Sequence, residues 1–145
     1  MKKTAYTMIA LLVLVGSMAV AAQAQSSGRG RLMANIPFQF KVGEKTMPAG
    51  EYVITEIDSK TDHALLQLRS KDGRNQTLIQ MSNVSGKTSE RARMVFNCYG
   101  SERYFAQVWT SGDAYGWQAP KSKTERTRQQ ELAGRKATSE TVALR

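Results

Sequence analysis

From Leu32 onward apolar and polar positions alternate: Leu32, Ala34, Ile36, Phe38, Phe40 and Val42 are separated by Met33, Asn35, Pro37, Gln39 and Lys41. A period of two puts the two sets on opposite faces of an extended chain, which predicts a half-buried strand. Pro37 has no N–H to give to a ladder, so the strand is expected at an edge or bulged at that point. Gly43, Pro48 and Gly50 bracket a loop, and residues 51–57 follow as a second strand with Tyr52 and Ile54 on one face.

Asp72-Gly73 is the strongest turn signal in the chain. A type I′ hairpin turn needs positive φ at both central residues, which Asp tolerates and Gly adopts freely. A two-residue loop there sets Leu68 against Thr77, Leu66 against Ile79 and Ala64 against Met81, so the alternating apolar sets share a face. A second hairpin is predicted from residues 92–99 and 103–109 around Gly100. A two-residue loop sets Met94 against Gln107 and Cys98 against Arg103. A three-residue loop sets Met94 against Val108, Phe96 against Ala106 and Cys98 against Tyr104, and parity favours it. Val95, Phe105 and Trp109 then point to the other side, so both faces of this hairpin need cover.

After Gly112 the alternation stops, and Tyr115, Gly116, Trp117 and Pro120 read as a link. Ser122-Lys123-Thr124-Glu125 matches a capping box, in which the Ser accepts from the third backbone N–H and the Glu reaches back. A helix over residues 123–133 is predicted. Its apolar positions are chiefly Leu132 and Ala133, so it is expected to dock weakly or project into solvent.

The start of the chain follows a different logic. Lys2 and Lys3 precede a nearly unbroken apolar run over residues 5–20, which ends in Ala22-Gln23-Ala24. Basic start, apolar core and small-x-small site make residues 1–24 a secretory signal peptide. The run falls short of the roughly 20 residues a spanning helix needs, so no transmembrane segment is expected after processing. Cleavage leaves 121 of the 145 residues and removes two lysines and no acid, so the formal charge falls from +9 to +7. Residues 25–31 are expected to be a flexible linker. Residues 32–112 form a single antiparallel β domain of about six strands, a small barrel or sandwich. Residues 113–145 supply a link, a basic helix and a tail. The expected location is the periplasm or the cell exterior.

The run Ala34-Asn35-Ile36-Pro37-Phe38-Gln39-Phe40-Lys41-Val42-Gly43, followed by Met47-Pro48-Ala49-Gly50-Glu51-Tyr52, resembles a group of short secreted bacterial proteins carrying an Ile-Pro-Phe-x-Phe-x-Val-Gly…Pro-Ala-Gly-x-Tyr motif. Met94-Val95-Phe96, Tyr99-Gly100, Tyr104-Phe105, Val108-Trp109 and Lys121-Ser122 extend the resemblance over most of the mature chain. It implies a secreted all-β protein and transfers no catalytic residue.

Candidate chemistry is sparse. His63 stands next to Asp62, but adjacent residues rarely orient one another's side chains and no Gly-x-Ser-x-Gly elbow is present. One Cys and one His cannot build a Cys/His zinc cluster. Cys98 falls on the Met94–Phe96 face and is expected to be buried. Glu51, Glu56 and Asp58 show no second acidic strand, so no glycosidase pair is assembled. No catalytic residue, metal or cofactor is therefore assigned. Trp109, Tyr115 and Trp117 are a candidate stacking surface.

The basic tail stands out. From Lys121 onward seven cations (Lys121, Lys123, Arg126, Arg128, Arg135, Lys136 and Arg145) face three acids. The first six of these are the candidate polyanion-binding residues, for anionic envelope polymers or lipid head groups, with no specific nucleic acid expected. The protein is expected to be a non-enzymatic binding or structural module. A small secreted hydrolase is the alternative. Outer-membrane insertion fits poorly, since such barrels start at eight strands.

Overall fold

The computed structural model describes residues 30–135 and 137–145. The expected leader, linker residues 25–29 and Lys136 lie outside the described residues. The described chain is mainly β with one helix near its C-terminus. In order it forms β1 (Arg31–Ile36), β2 (Phe40–Val42), β3 (Lys45–Met47), β4 (Gly50–Ser59), β5 (His63–Ser70), β6 (Gln76–Ser85), β7 (Arg93–Tyr99), β8 (Glu102–Trp109), β9 (Tyr115–Gln118), α1 (Lys123–Glu131) and β10 (Thr138–Ala143). Ten strands thus stand where about six were expected.

Three features account for the difference. Pro37 does not bulge one strand but ends it: β1 stops at Ile36 and β2 starts at Phe40. Both keep their alternate residues buried, yet β1 pairs with β4, whereas β2 pairs with β3 and meets β8 in parallel at Lys41 and Tyr104. The expected link contains β9, which bridges β6 and β8. The expected tail contains β10, which pairs with β7 along its whole length. The sheet therefore runs well past residue 112.

The strand order is β1-β4-β5-β6-β9-β8, and β8 also pairs with β7, which pairs with β10. The chain end then returns to β1. Leu144 bridges Ala34, Met33 N–H donates to Arg145 O at 2.9 Å, and Arg145 N–H donates to Met33 O at 3.0 Å. One face of these strands is buried in a single core that includes Ile36, Tyr52, Ile54, Leu66, Leu68, Met81, Met94 and Val108. Phe96 lies among three rings: Phe38 at 5.1 Å, Phe40 at 5.4 Å and Phe105 at 6.0 Å. The opposite face carries exposed Arg31, Asn35, Arg69, Gln76 and Gln80.

The first hairpin has the expected register: Leu68 with Thr77, Leu66 with Ile79 and Ala64 with Met81. Its turn differs. Gly73 N–H donates to Ser70 O at 2.8 Å, which centres the turn on Lys71-Asp72, and only Gly73 has positive φ, at 74°. Asp72 instead caps the loop, accepting from Ser70 Oγ and from Arg74 N–H.

The second hairpin combines both expected registers. Tyr99 pairs with Glu102 and Cys98 with Arg103, leaving a two-residue turn. A register shift between Val95 and Phe96 then places Met94 opposite Val108, as an odd loop would. Phe96 consequently faces Phe105 rather than Ala106, and Phe105 points into the core instead of away from it.

Candidate anion-binding surface

The helix is placed by acids. Ser122 Oγ accepts the Glu125 N–H at 3.1 Å, as a capping box requires. Glu125 does not reach back. Its side chain is only 3% exposed and accepts from Asn97 Nδ2 at 2.8 Å and from Tyr99 OH at 3.3 Å. Burying a carboxylate is costly unless it is hydrogen-bonded, and the positive end of the helix dipole adds to its stabilisation. One turn later Arg128 Nε lies 2.5 Å from Glu102 Oε2, and Lys41 Nζ donates to the other oxygen of Glu102 at 2.7 Å. The Lys41 hydrogen bond holds the Glu102 carboxyl below its usual range, and the same bond raises the Lys41 ammonium. Thr124 is bound to Glu44 through its N–H and its hydroxyl. The helix therefore docks sparsely, as its lack of an apolar stripe implies, through a few polar contacts around Glu125, its one buried residue.

This docking sorts the candidate cations. Arg128 is neutralised by Glu102 and by Glu131 at 2.8 Å. Lys121 donates to neutral Gln129 at 2.8 Å. Lys123, Arg126 and Arg135 are exposed and form no ion pair among the described residues. Lys136 lies outside the described residues. All three acids of the segment are engaged: Glu125 is buried, Glu131 pairs with Arg128, and Glu140 accepts from Arg103 Nε at 2.6 Å.

The aromatic candidates do not share a platform. Trp109 is 6% exposed and lies against two glycines, where a Cβ on Gly116 would come within 2.7 Å of the ring and one on Gly86 within 2.6 Å. Its Nε1 donates to Gln107 at 3.1 Å. Trp117 is half-buried and packs against the core. Tyr115 alone is open, at 62% exposure. Trp109 is thus a packing residue, because its ring faces the protein's own backbone.

His63 is exposed at the start of β5. Cys98 is half-buried rather than sealed in the core, beside Arg103 and Thr138 in the sheet. Burial first, and then the Glu140 charge, raise its thiol above the ordinary value of 9.0, with Arg103 opposing. A thiolate is the reactive form, so labelling by a disulfide reagent at pH 7.5 should be much slower in native than in urea-unfolded protein. The native rate should still be climbing at pH 9, because a raised thiol reaches its plateau only above its ordinary value of 9.0. Equal rates in the two states would contradict this environment. Among the described residues no group of three or more His, Cys, Asp or Glu could hold a metal ion.

One basic cluster went unnoticed in the sequence. Arg93 sits opposite Trp109 in the ladder, with its guanidinium 5.7 Å from the ring centre. Its Nε is buried and has no acceptor among the described residues. Such a donor costs about 1–3 kcal/mol. The available signal was the spacing of Lys87, Arg91 and Arg93 at the start of the strand predicted over residues 92–99. No protein-family model, curated protein or solved structure matches the chain.

Proposed function

We propose that this is an exported, non-enzymatic module that holds anionic polymers of the bacterial envelope or exterior. The leader and the resemblance to short secreted proteins support export. The observation that carries the binding function is that all three acids of residues 121–145 are engaged elsewhere, Glu125 by burial, Glu131 by Arg128 and Glu140 by Arg103, which leaves Lys123, Arg126 and Arg135 exposed and without ion pairs among the described residues. In this view the sheet is closed into a small barrel by the return of the chain end to β1, a rigid support for the helix. Exposed charges act within a Debye length of about 8 Å at physiological salt, so binding should weaken as salt rises.

The test uses the mature chain with Lys123→Gln, Arg126→Gln and Arg135→Gln combined. A basic side chain near an anionic surface contributes roughly 1 kcal/mol, so the triple variant should bind a polyanionic matrix roughly a hundredfold more weakly. Its melting temperature should be unchanged, because none of the three holds the helix. Retention equal to that of the parent would rule the proposal out. Loss confined to phosphatidylglycerol vesicles would transfer the role to lipid head groups.

A further inference from the structure

A second basic site lies between the loop of residues 86–92 and the outer side of β7 and β10. It is a cleft of about 610 Å³ walled by Lys87, Arg91 and Arg93, with Thr88 and Thr141 contributing hydroxyls. Glu90 is the one acid in its lining. Volumes in this range suit a small ligand.

Arg93 differs from the other half-buried cations. Arg103 is held by Glu140 and Lys41 by Glu102. Arg93 is held by stacking on Trp109, and no carboxylate neutralises it among the described residues. A guanidinium held over a ring keeps its orientation, and with Nε buried it is the two terminal nitrogens that can face an oxyanion.

The loop bearing the other two cations is tied down. Gly86 N–H donates to Ala114 O at 2.8 Å, Ser89 N–H to Asp113 O at 3.1 Å, and Gly112 N–H to Ser89 O at 2.8 Å. Ser89 Oγ also donates to Arg91 O at 2.6 Å. Lys87 and Arg91 are therefore presented on a fixed strap rather than a floppy one.

The geometry points to a binding site for a phosphate dianion, free or carried on a small molecule, with Arg93 as the oriented donor and Lys87 and Arg91 completing its charge. Three cations against one acid leave the double positive charge that such a group requires. The cleft exceeds the size of phosphate itself, so it also admits the group that bears it. This site is independent of the helix cations.

Trp109 makes the site readable. In Trp117→Phe protein the tryptophan emission comes from Trp109 alone, and Arg93 lies over its ring. Titration with inorganic phosphate, and separately with glycerol 3-phosphate, at constant ionic strength should give a saturable change in that emission. Arg93→Gln should weaken it at least tenfold. Lys87→Gln, an exposed change that cannot disturb packing, should weaken it several-fold. Lys123→Gln with Arg126→Gln should leave it intact, which separates this site from the helix surface. Tighter binding of glycerol 3-phosphate identifies a carried phosphate, and equal binding identifies the free ion; both support the site. No saturable change, an equal response to sodium chloride, or a response that survives both Arg93→Gln and Lys87→Gln would overturn it.

Discussion

A mature chain that stops after Pro120 is expected to lose cooperative unfolding altogether. The lost segment looks dispensable in the sequence, being polar and basic. In the fold it supplies β10, whose residues Thr138–Ala143 pair with Cys98–Arg93 of β7. It also supplies Leu144, a core residue at 8% exposure that bridges Ala34 of β1. Truncation would leave β7 and β1 with bare edges, and open edges invite association. It would part Tyr99 from Glu125 and Glu102 from Arg128, and strip Glu140 from Arg103, whose guanidinium lies 4.5 Å over Phe38. Each backbone hydrogen bond contributes about 0.5–1.5 kcal/mol net, and the lost apolar burial adds to that. Together these approach the roughly 5–15 kcal/mol that a whole domain commands. Near-ultraviolet circular dichroism during heating should show no sharp transition, and the truncated protein should bind a hydrophobic dye. A sharp transition within about 5 °C of the parent would mean that β10 and the helix are accessory to the fold.

How much of this was legible depended on whether the signal was local. The Leu66–Ile79 register followed from a two-residue loop at Asp72-Gly73, which brings the apolar alternation of both strands onto one face. It survived even though the turn is centred one residue earlier than Asp72-Gly73 suggests. The second hairpin resisted because two choices were made in series. The turn selects the even register, and the shift at Val95/Phe96 restores the odd one, with no Gly or Pro at that point to announce it. β10 was invisible for another reason: Thr-Ser-Glu-Thr-Val-Ala has too few apolar positions for a period to emerge, and its place comes from the unpaired edge of β7. Among the candidate residues, charge was countable from the sequence, but its partners were not. Arg128 is neutralised by Glu102, which lies 26 residues earlier in the chain. The cap at Ser122 was readable because it spans four residues, whereas the inward turn of Glu125 toward Asn97 and Tyr99 was not. The Arg93 cleft likewise needs the ladder that sets it against Trp109.

Phe96→Ala should be the most damaging single substitution in the core. Phe96 is fully buried, and its ring meets others from three separate stretches: Phe38 just after the Pro37 break, Phe40 in β2 and Phe105 in β8. The Phe38 and Phe40 contacts are edge-on, at 90° and 74°, the arrangement that aromatic quadrupoles favour. Removing a buried phenyl group typically costs about 3–5 kcal/mol, and the upper end applies where neighbours cannot collapse into the space. Here the three rings are held by the bend after Pro37, by β2 and by β8, so a shift that fills the cavity for one opens a gap beside another. A loss of that size lowers the melting temperature by roughly 10–20 °C in a domain of this length. Phe96→Leu, which keeps most of the volume and loses the ring contacts, should cost about 1–2 kcal/mol. Val142→Ala, at a half-buried position on β10 facing Met94, should cost about 1 kcal/mol and serves as the peripheral reference. Urea unfolding of the three variants with equal slopes provides the comparison. If Phe96→Ala costs no more than Val142→Ala, the core is not organised around Phe96, and the union of β2, β7 and β8 must rest on their backbone pairing instead.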